Sequence, residues 1–226
     1  MDALEARLIT VLLVDDHAVV REGYRRLLEQ HADIAVVGEA ADTEGALELF
    51  RRLAPQVVIM DITLPGPSGI EAMQRMLAGG AGARVLIFSM HQEAIFARRA
   101  LQAGAHGYVT KASAPAVLVD AVRAVGSGRR YLSAAVAEEL ALRANMLDRN
   151  ARDALSLREL EVLRLLVQGQ TVRQVAASMG LTPKTVANYQ SAIKQKLGAE
   201  SALQLLRAAE RLGLVEPAAD AGQAAG

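Results

Sequence analysis

The first half of the chain alternates short apolar runs with segments of helical spacing. The almost continuous apolar run over residues 8–14 is typical of a strand covered on both faces of a sheet. Residues 19–28 then repeat apolar side chains every three or four positions, as on one face of a helix. The same alternation continues through apolar runs at residues 34–37, 57–60, 85–88 and 108–109. Because each return to a parallel strand needs a crossover, five such units predict an α/β domain with a doubly wound five-stranded parallel sheet.

The second half of the chain is predicted to be helical, with start and stop signals along it. Ser156 with Glu159, and later Thr171 with Gln174, form the pattern of a capping box at a helix start. Thr182 followed by proline is a third favoured helix start. The pattern predicts helices over residues 156–168, 171–179, 182–197 and 201–212.

Glycine and polar residues suggest where the domains meet. The Gly-Ser-Gly stretch at residues 126–128 ends the last helix of the first half. We therefore predict an α/β domain over residues 1–128, a helical linker over residues 129–154 with its helix at 133–147, a small all-α domain over residues 155–216, and a disordered tail over residues 217–226.

Composition narrows the class of protein. The 226 residues are 52% hydrophobic and 22% charged, so both domains can bury a core. There is no cysteine, which excludes a disulfide framework and a cysteine-based zinc site. No apolar run approaches the ~18 residues of a membrane-spanning helix, and no signal peptide is visible. We expect a cytoplasmic protein without a membrane partner.

Charge is distributed unevenly although the net charge is zero. Residues 1–128 hold 12 Lys and Arg against 15 Asp and Glu, whereas residues 151–216 hold 9 against 6. This asymmetry predicts two modules with different partners. The basic excess is too small to establish nucleic-acid binding by itself.

Polar side chains follow the ends of the predicted strands, where ligands bind in an open α/β sheet. The first strand ends in Asp15 and Asp16, the third in Asp61 and the fourth in Ser89, and Lys111 follows the fifth. Clustered carboxylates repel unless a cation lies among them, and such oxygen ligands suit Mg²⁺. A metal-braced aspartate can attack phosphorus, while a hydroxyl and an ammonium hold the phosphoryl oxygens.

Two other interpretations apply to single residues of this set. Acidic residues at strand ends also cap helices, and Asp16 alone fits that role equally well. His17 is expected to be a first-turn helix residue rather than a metal ligand, because Mg²⁺ disfavours imidazole.

Four segments of the first half carry a family resemblance: VLLVDDHAVVREGYRRLLE, VVIMDITLPGPSGIE, VLIFSM and AGAHGYVTKAS. They resemble the receiver domains of two-component response regulators, particularly the NarL/FixJ group. The resemblance implies a flavodoxin-like fold in which Asp61 accepts a phosphoryl group from a sensor histidine kinase. It also implies Mg²⁺ ligation by Asp15, Asp16, Asp61 and the carbonyl of Thr63, a switch hydroxyl at Ser89, a switch aromatic at Tyr108 and phosphoryl pairing by Lys111.

The chain departs from the family pattern at two positions. A proline in a cis peptide often follows the lysine, but here Ala112 follows Lys111, and a cis bond there would cost about 2.5–4 kcal/mol. The sequence leaves the geometry of that peptide open. Met90 stands where many receivers have a small residue, and we expect it to affect the lifetime of the phosphoaspartate rather than its formation.

The segment LSLRELEVLRLLVQGQTVRQVAASMGLTPKTVANYQSAIKQKLGAES resembles the LuxR-type DNA-binding domain. Its layout is a helix-turn-helix, in which the second helix enters the major groove of double-stranded DNA. Helical spacing predicts that Val186, Ile193 and Leu197 face the core. The candidate DNA contacts on this helix are Thr182, Lys184, Thr185, Ala187, Asn188, Tyr189, Ser191, Lys194 and Lys196.

The sequence therefore predicts a phosphorylation-controlled transcription regulator that is not a turnover enzyme. The apolar residues of the helix at 201–212 exceed what so small a domain readily covers, so we also predict a homodimer. An aspartate-nucleophile phosphatase would favour a second Asp two positions after Asp61, where this chain has Thr63. A lactone-type regulator would share only the second half and would need no carboxylate cluster.

Overall fold

The computed structural model describes residues 8–80, 82, 84–142 and 155–215. These residues form two compact units, one built around a sheet and one made of helices.

The first unit alternates strands with helices along the chain. Its elements are β1 (Ile9–Val14), α1 (Ala18–Glu29), β2 (Ile34–Ala40), α2 (Thr43–Leu53), β3 (Val57–Met60), α3 (Gly69–Ala78), β4 (Arg84–Ser89), α4 (Ala94–Gln102), β5 (Gly107–Thr110), α5 (Pro115–Gly126), β6 (Tyr131–Leu132) and α6 (Ala134–Leu142).

All the strand pairs of this sheet are parallel, in the order β2-β1-β3-β4-β5-β6. The predicted doubly wound parallel fold is confirmed. The strand order reverses between β1 and β3, so a crevice opens beyond their carboxyl ends, where α/β sheets bind ligands.

The sheet has six strands rather than the predicted five. The sixth, β6, lies in the segment predicted as a helical linker, and the Tyr131 N–H donates to the His106 carbonyl at 3.2 Å. A two-residue strand is too short to show an alternating pattern, so it could not be predicted from the sequence. Helix α6 follows, but residues 143–147 of the predicted linker helix and the predicted tail lie outside the described residues. The predicted domain boundaries remain predictions.

The core of the first unit lies on both faces of the sheet. Strand β3 is buried at all four of its positions, as the continuous apolar runs predicted. Leu28 of α1 and Val122 of α5 are fully buried against the sheet. This packing fixes the strand ends rigidly in relation to one another.

The second unit consists of α7 (Leu157–Val167), α8 (Val172–Ser178), α9 (Pro183–Leu197) and α10 (Ala202–Leu212). The predicted capping box at the start of α7 is present: the Ser156 hydroxyl accepts from the Glu159 N–H, and the Glu159 carboxylate accepts from the Ser156 N–H. Val186 and Ile193 of α9 are buried as predicted, and Leu197 is half-buried.

Among the described residues, no helix combines the length and the apolar character that crossing a bilayer requires.

Candidate functional site

The sheet topology brings the predicted carboxylates together. Val14 and Met60 are partners in the β1–β3 register, so the residues that follow them, Asp15 and Asp61, emerge side by side. The Asp61 N–H donates to the Val14 carbonyl at 2.9 Å and extends the ladder by one residue. Ligand atoms of Asp15, Asp16, His17 and Asp61 all lie within 4.8 Å of one another.

Lys111 closes this cluster from the end of β5. Its Nζ donates to Oδ2 of Asp15 at 2.5 Å and to Oδ2 of Asp61 at 2.5 Å. The Lys111 N–H donates to the Ser89 carbonyl at 2.7 Å, which holds the lysine beside β4. The side chains of Lys111, Asp15 and Asp61 are 7%, 5% and 5% exposed, so the ammonium and the two carboxylates interact with little screening by water.

Burial and neighbouring charges have opposite effects on the pKa values of Asp61 and Lys111. Burial raises the pKa of Asp61, and Lys111 offsets that only in part. Burial also lowers the pKa of Lys111, but the carboxylates of Asp61 and Asp15 outweigh it and raise the pKa. Because Nζ contacts two carboxylate oxygens, the geometry supports a charged ammonium between them.

The loop after β3 and the start of α3 surround Asp61 closely. The Thr63 N–H donates to Oδ1 of Asp61 at 3.1 Å. A Cβ at Gly69 would lie 1.8 Å from the Asp61 carbonyl oxygen, so only glycine allows the approach of α3. The Thr43 hydroxyl donates to the Pro67 carbonyl at 2.8 Å and anchors the same loop. Sequence reasoning missed Thr43, which has no local signal because it lies on α2.

The two predicted switch residues meet at residue 91. The Ser89 hydroxyl accepts from the His91 N–H at 3.2 Å, and the Tyr108 hydroxyl donates to the His91 carbonyl at 2.9 Å. Ser89 and Tyr108 are both fully buried. The His91 ring stacks on Phe96 of α4 with the ring centres 4.0 Å apart. A change at either switch residue therefore reaches the other through one backbone segment.

The two departures from the family pattern have definite positions. The Lys111–Ala112 peptide is trans, as are the other peptide bonds that the structure describes. Met90 is 69% exposed at the end of β4. Its effect on the lifetime of a phosphoaspartate stays a prediction.

His17 and Arg21 add contacts that the sequence did not predict. His17 is the N-cap residue of α1 rather than a first-turn residue, and its Nδ1 lies 2.7 Å from Oδ1 of Asp16. Arg21 donates from its guanidinium to the Asp15 carbonyl at 2.6 Å. Arg21 lies one helical turn after His17, which is the only signal in the sequence that could have placed it near this loop.

The cluster has the donor chemistry of a site for a hard divalent cation. Asp15, Asp16 and Asp61 offer carboxylate oxygens within one small volume, and such ligands suit Mg²⁺. The fourth member of the group, His17, offers a nitrogen that Mg²⁺ disfavours, and that nitrogen faces Asp16. The residues present therefore fit Mg²⁺ better than a transition metal.

In the second unit, α9 presents a polar outward surface. Lys184, Ala187, Asn188 and Ser191 are exposed along it, whereas Thr185, Tyr189 and Lys194 are half-buried. The Thr182 hydroxyl accepts from the Thr185 N–H at 3.1 Å and caps the helix.

Besides Thr182 and Thr185, which bond to each other, two more of the predicted DNA-contact residues have partners within the unit. The Ser191 hydroxyl donates to the Ala187 carbonyl at 3.0 Å. Lys196 donates from Nζ to Oε2 of Glu159 at 2.8 Å, so α9 is tied to the start of α7. A phosphate contact by Lys196 would compete with this ion pair, and its role in DNA binding stays a prediction.

Two family models match the chain, one on each unit. The model described as the response regulator receiver domain matches residues 11–123. The model described as bacterial regulatory proteins of the luxR family matches residues 153–209.

Several proteins resemble the chain over most of its length. The response regulator UvrY of Escherichia coli K12 is 37% identical over 209 residues, which cover 92% of this chain and 96% of UvrY. The response regulator GacA of Pseudomonas syringae pv. syringae is 38% identical over 214 residues, which cover 94% of this chain and 100% of GacA.

RcsB is a similar protein with solved structures. RcsB of Salmonella enterica serovar Typhimurium, bound to promoter rprA with the phosphomimetic BeF₃⁻, is 26% identical with a TM-score of 0.63 and covers 89% of this chain and 98% of its own. A structure of two RcsB dimers bound to two parallel DNAs is 27% identical with a TM-score of 0.59, covering 91% and 99%.

Proposed function

The chain belongs to the two-component response regulators of the NarL/FixJ family, and on that premise we propose that phosphorylation of Asp61 controls DNA binding by α9. The observation that carries this proposal is the placement of Asp61 against Asp15 and Lys111 at the carboxyl edge of the sheet. The partner that supplies the phosphoryl group is a sensor histidine kinase.

The proposed chemistry is transfer of a phosphoryl group to a carboxylate oxygen of Asp61. The Asp61 oxygen forms a bond to phosphorus while the bond from phosphorus to the donor histidine nitrogen breaks, and that nitrogen keeps the electron pair. Lys111 holds a phosphoryl oxygen with its ammonium, and the Thr63 N–H, now on Oδ1 of Asp61, orients the carboxylate.

Asp15, Asp16 and Asp61 would hold Mg²⁺, with the Thr63 carbonyl as a further ligand. When bound, Mg²⁺ supplies charge that draws a phosphoryl group toward the carboxylate. Arg21 holds the Asp15 carbonyl and thereby fixes the loop that presents both of the first two aspartates. The product is a modified protein rather than a released molecule, so the chain acts as a regulator and not as a turnover enzyme.

The switch residues would report the state of Asp61. We propose that the Ser89 hydroxyl turns toward Asp61 to bind a phosphoryl oxygen and leaves its present contact with the His91 N–H. Tyr108 shares residue 91 and would respond to the same movement. A ligand shifts such an equilibrium only by its differential affinity for the two states.

For the second unit, we propose that α9 lies in the major groove. Lys184 and the amino-terminal end of α9 would contact phosphates, and Asn188 and Ala187 would contact base edges. The remaining proposed contacts are Thr182, Thr185, Tyr189, Ser191, Lys194 and Lys196. Bacterial DNA lies in the cytoplasm, and we propose that the protein acts there.

The proposed regulator binds DNA as a homodimer through an apolar groove beside α10. Leu203 is 57% exposed there, and Leu166, Val172 and Leu206 line the same groove of about 600 Å³. A second copy is the proposed occupant, because a twofold pair of α9 helices would read half-sites about one turn of DNA apart.

Genome-wide mapping of bound sites, with and without Asp61→Asn, tests the proposal. Sites should be occupied more strongly under conditions that activate the kinase, and Asp61→Asn should remove that gain. A purified chain should likewise bind those sites more tightly after treatment with a small phosphodonor and Mg²⁺. Equal occupancy by both proteins under activating conditions would contradict the proposed control.

A further inference from the structure

The segment that leaves the sheet is bound directly to the strand of the switch tyrosine. The Ser133 N–H donates to the Tyr108 carbonyl at 3.1 Å, and Leu132 is the partner of Tyr108 in the β5–β6 register. After Ser133 the chain enters α6, which packs against α4 and β5 with Val136 buried. The residues beyond α6 connect the two units along the chain.

A continuous chain of hydrogen bonds joins this segment to the phosphoryl-transfer cluster. Ser89 contacts the N–H of His91, whose carbonyl accepts from the Tyr108 hydroxyl. The Tyr108 carbonyl then accepts from the Ser133 N–H. Tyr108 therefore contacts His91 through its hydroxyl, Ser133 through its carbonyl, and Leu132 of β6 through strand pairing.

The β5–β6 pairing is weak in comparison with the rest of the sheet. It joins two residue pairs, whereas β3 and β4 are joined by four. The pairing also depends on Gly107, because a Cβ there would lie 2.8 Å from the Tyr131 carbonyl oxygen. The Ser133 hydroxyl is buried without a hydrogen-bond partner among the described residues. Burying it costs free energy, and this cost destabilises the pairing of this segment with β5. A short pairing that carries such a cost can open while the rest of the sheet stays intact.

We propose that β6 and Ser133 form a latch that holds the linker to β5 and opens when Asp61 is phosphorylated. The latch rests on the proposed function and adds to it the element that carries the signal out of the sheet. With Ser89 turned toward the phosphoryl group, the contact at residue 91 changes and Tyr108 moves. The hydrogen bond from the Ser133 N–H to the Tyr108 carbonyl then breaks, and α6 separates from β5.

Hydrogen exchange in the full chain tests the latch at the two amides that form it. The Tyr131 and Ser133 N–H groups should exchange at least tenfold faster after a small phosphodonor and Mg²⁺ have phosphorylated Asp61, with labelling followed by intact mass. The Ile59 amide in β3 serves as an internal control and should stay protected. Unchanged protection at Tyr131 and Ser133 in fully labelled protein would overturn the latch, while the labelling itself would leave the proposed function standing.

A matched pair of variants tests the latch without phosphorylation. Ser133→Pro removes the N–H donor, and a strand residue suits the position before proline, whereas Ser133→Ala keeps the donor and removes the unpartnered hydroxyl. DNA affinity is measured on a duplex that the wild-type chain has selected from a randomised pool. Unphosphorylated Ser133→Pro should bind this duplex as tightly as phosphorylated wild type does. Ser133→Ala should bind it no more tightly than unphosphorylated wild type. Wild-type affinity in folded, unphosphorylated Ser133→Pro, with a full response once Asp61 is labelled, would overturn the latch and leave the proposed function standing.

Discussion

The two units present their functional residues in opposite ways. In the first unit the charges of Asp15, Asp61 and Lys111 are buried in contact with one another, and only Asp16 beside them is exposed. In the second unit the candidate residues, such as Lys184 and Asn188, are exposed on one helix. The first site is built from the ends of several strands, and the second from consecutive turns of α9.

This difference decides how each site can be disturbed. Buried charges without water interact strongly, so the loss of one partner changes the chemistry of the whole cluster. Exposed side chains on a helix act nearly independently, so each loss should change DNA binding by its own increment. We therefore expect all-or-none effects in the first unit and graded effects in the second.

The largest expected effect is at Asp61. Asp61→Asn should abolish phosphorylation by a small phosphodonor in the presence of Mg²⁺, because the amide is not a nucleophile toward phosphorus. Mass spectrometry of the treated protein measures the labelling. Asp120→Asn changes an exposed acid on α5 and should label as fully as wild type. Full labelling of Asp61→Asn would remove this residue from its proposed role.

Lys111→Ala should separate metal binding from the response. Removing the ammonium from between Asp15 and Asp61 leaves the carboxylates free for Mg²⁺, so Mg²⁺ affinity should be kept or increased. The gain in DNA affinity on phosphorylation, a coupling of about 1–3 kcal/mol in such systems, should fall to near zero. Mg²⁺ titration and DNA titration of the same preparation measure the two effects. An unchanged DNA response in labelled Lys111→Ala would contradict the role of the lysine.

Graded effects are expected on α9. Asn188→Ala should cost about 1–3 kcal/mol at the matched site and relax the preference at one base pair in each half-site. Lys184→Ala should weaken all sequences alike and lower the salt slope by about one unit. Titrations of both variants on matched and scrambled duplexes, at two salt concentrations, distinguish the loss of base preference from the uniform loss of affinity. If Asn188→Ala weakens both duplexes equally, this side chain contacts backbone rather than a base.

The smallest effect is expected at Glu159, which caps α7 and pairs with Lys196. Burial raises its pKa, but the contacts with Lys196 and Ser156 outweigh burial and lower the pKa below the usual 4.5. Glu159→Gln should reduce the free energy of unfolding of the second unit by about 1 kcal/mol near neutral pH, because Lys196 is partly exposed and the pair is screened.

The lowered pKa of Glu159 predicts how its contribution to the free energy of unfolding changes with pH. A carboxylate with a lowered folded-state pKa stabilises the fold above its ordinary pKa, and the contribution disappears as the pH falls through the folded value. The difference between wild type and Glu159→Gln should therefore shrink below about pH 4.5. Hydrogen exchange of the α7 and α9 amides measures this difference in unfolding free energy for the second unit alone. Glu200→Gln, at an exposed position, is the control. A difference that persists in acid would mean that shape, not charge, is lost.

Much of both sites could be predicted from local pattern. Short apolar runs followed by acids predicted that Asp15, Asp16 and Asp61 would meet, because parallel strands end at one edge of the sheet. Capping residues such as Ser156 and Thr182 predicted helix starts that the structure confirms. These signals survive in the sequence because a strand end or a helix cap depends on residues within a few positions.

Contacts between distant segments could not be predicted in this way. Arg21 reaches the Asp15 carbonyl, and Thr43 reaches the loop after β3, only because helices pack against the sheet in one particular rotation. The partner of Lys196 is likewise 37 positions away along the chain, at Glu159.

The sequence by itself determined which chemistry the chain carries: carboxylates, a hydroxyl and an ammonium at strand ends, and a polar helix after a turn. Tertiary structure decided how that chemistry is connected, through the meeting of Ser89 and Tyr108 at His91 and the pairing of β6 with β5. The reason is physical. Local patterns record the periodicity of one element, whereas a two-residue strand and a shared backbone contact exist only once the whole sheet has brought their partners within hydrogen-bond distance.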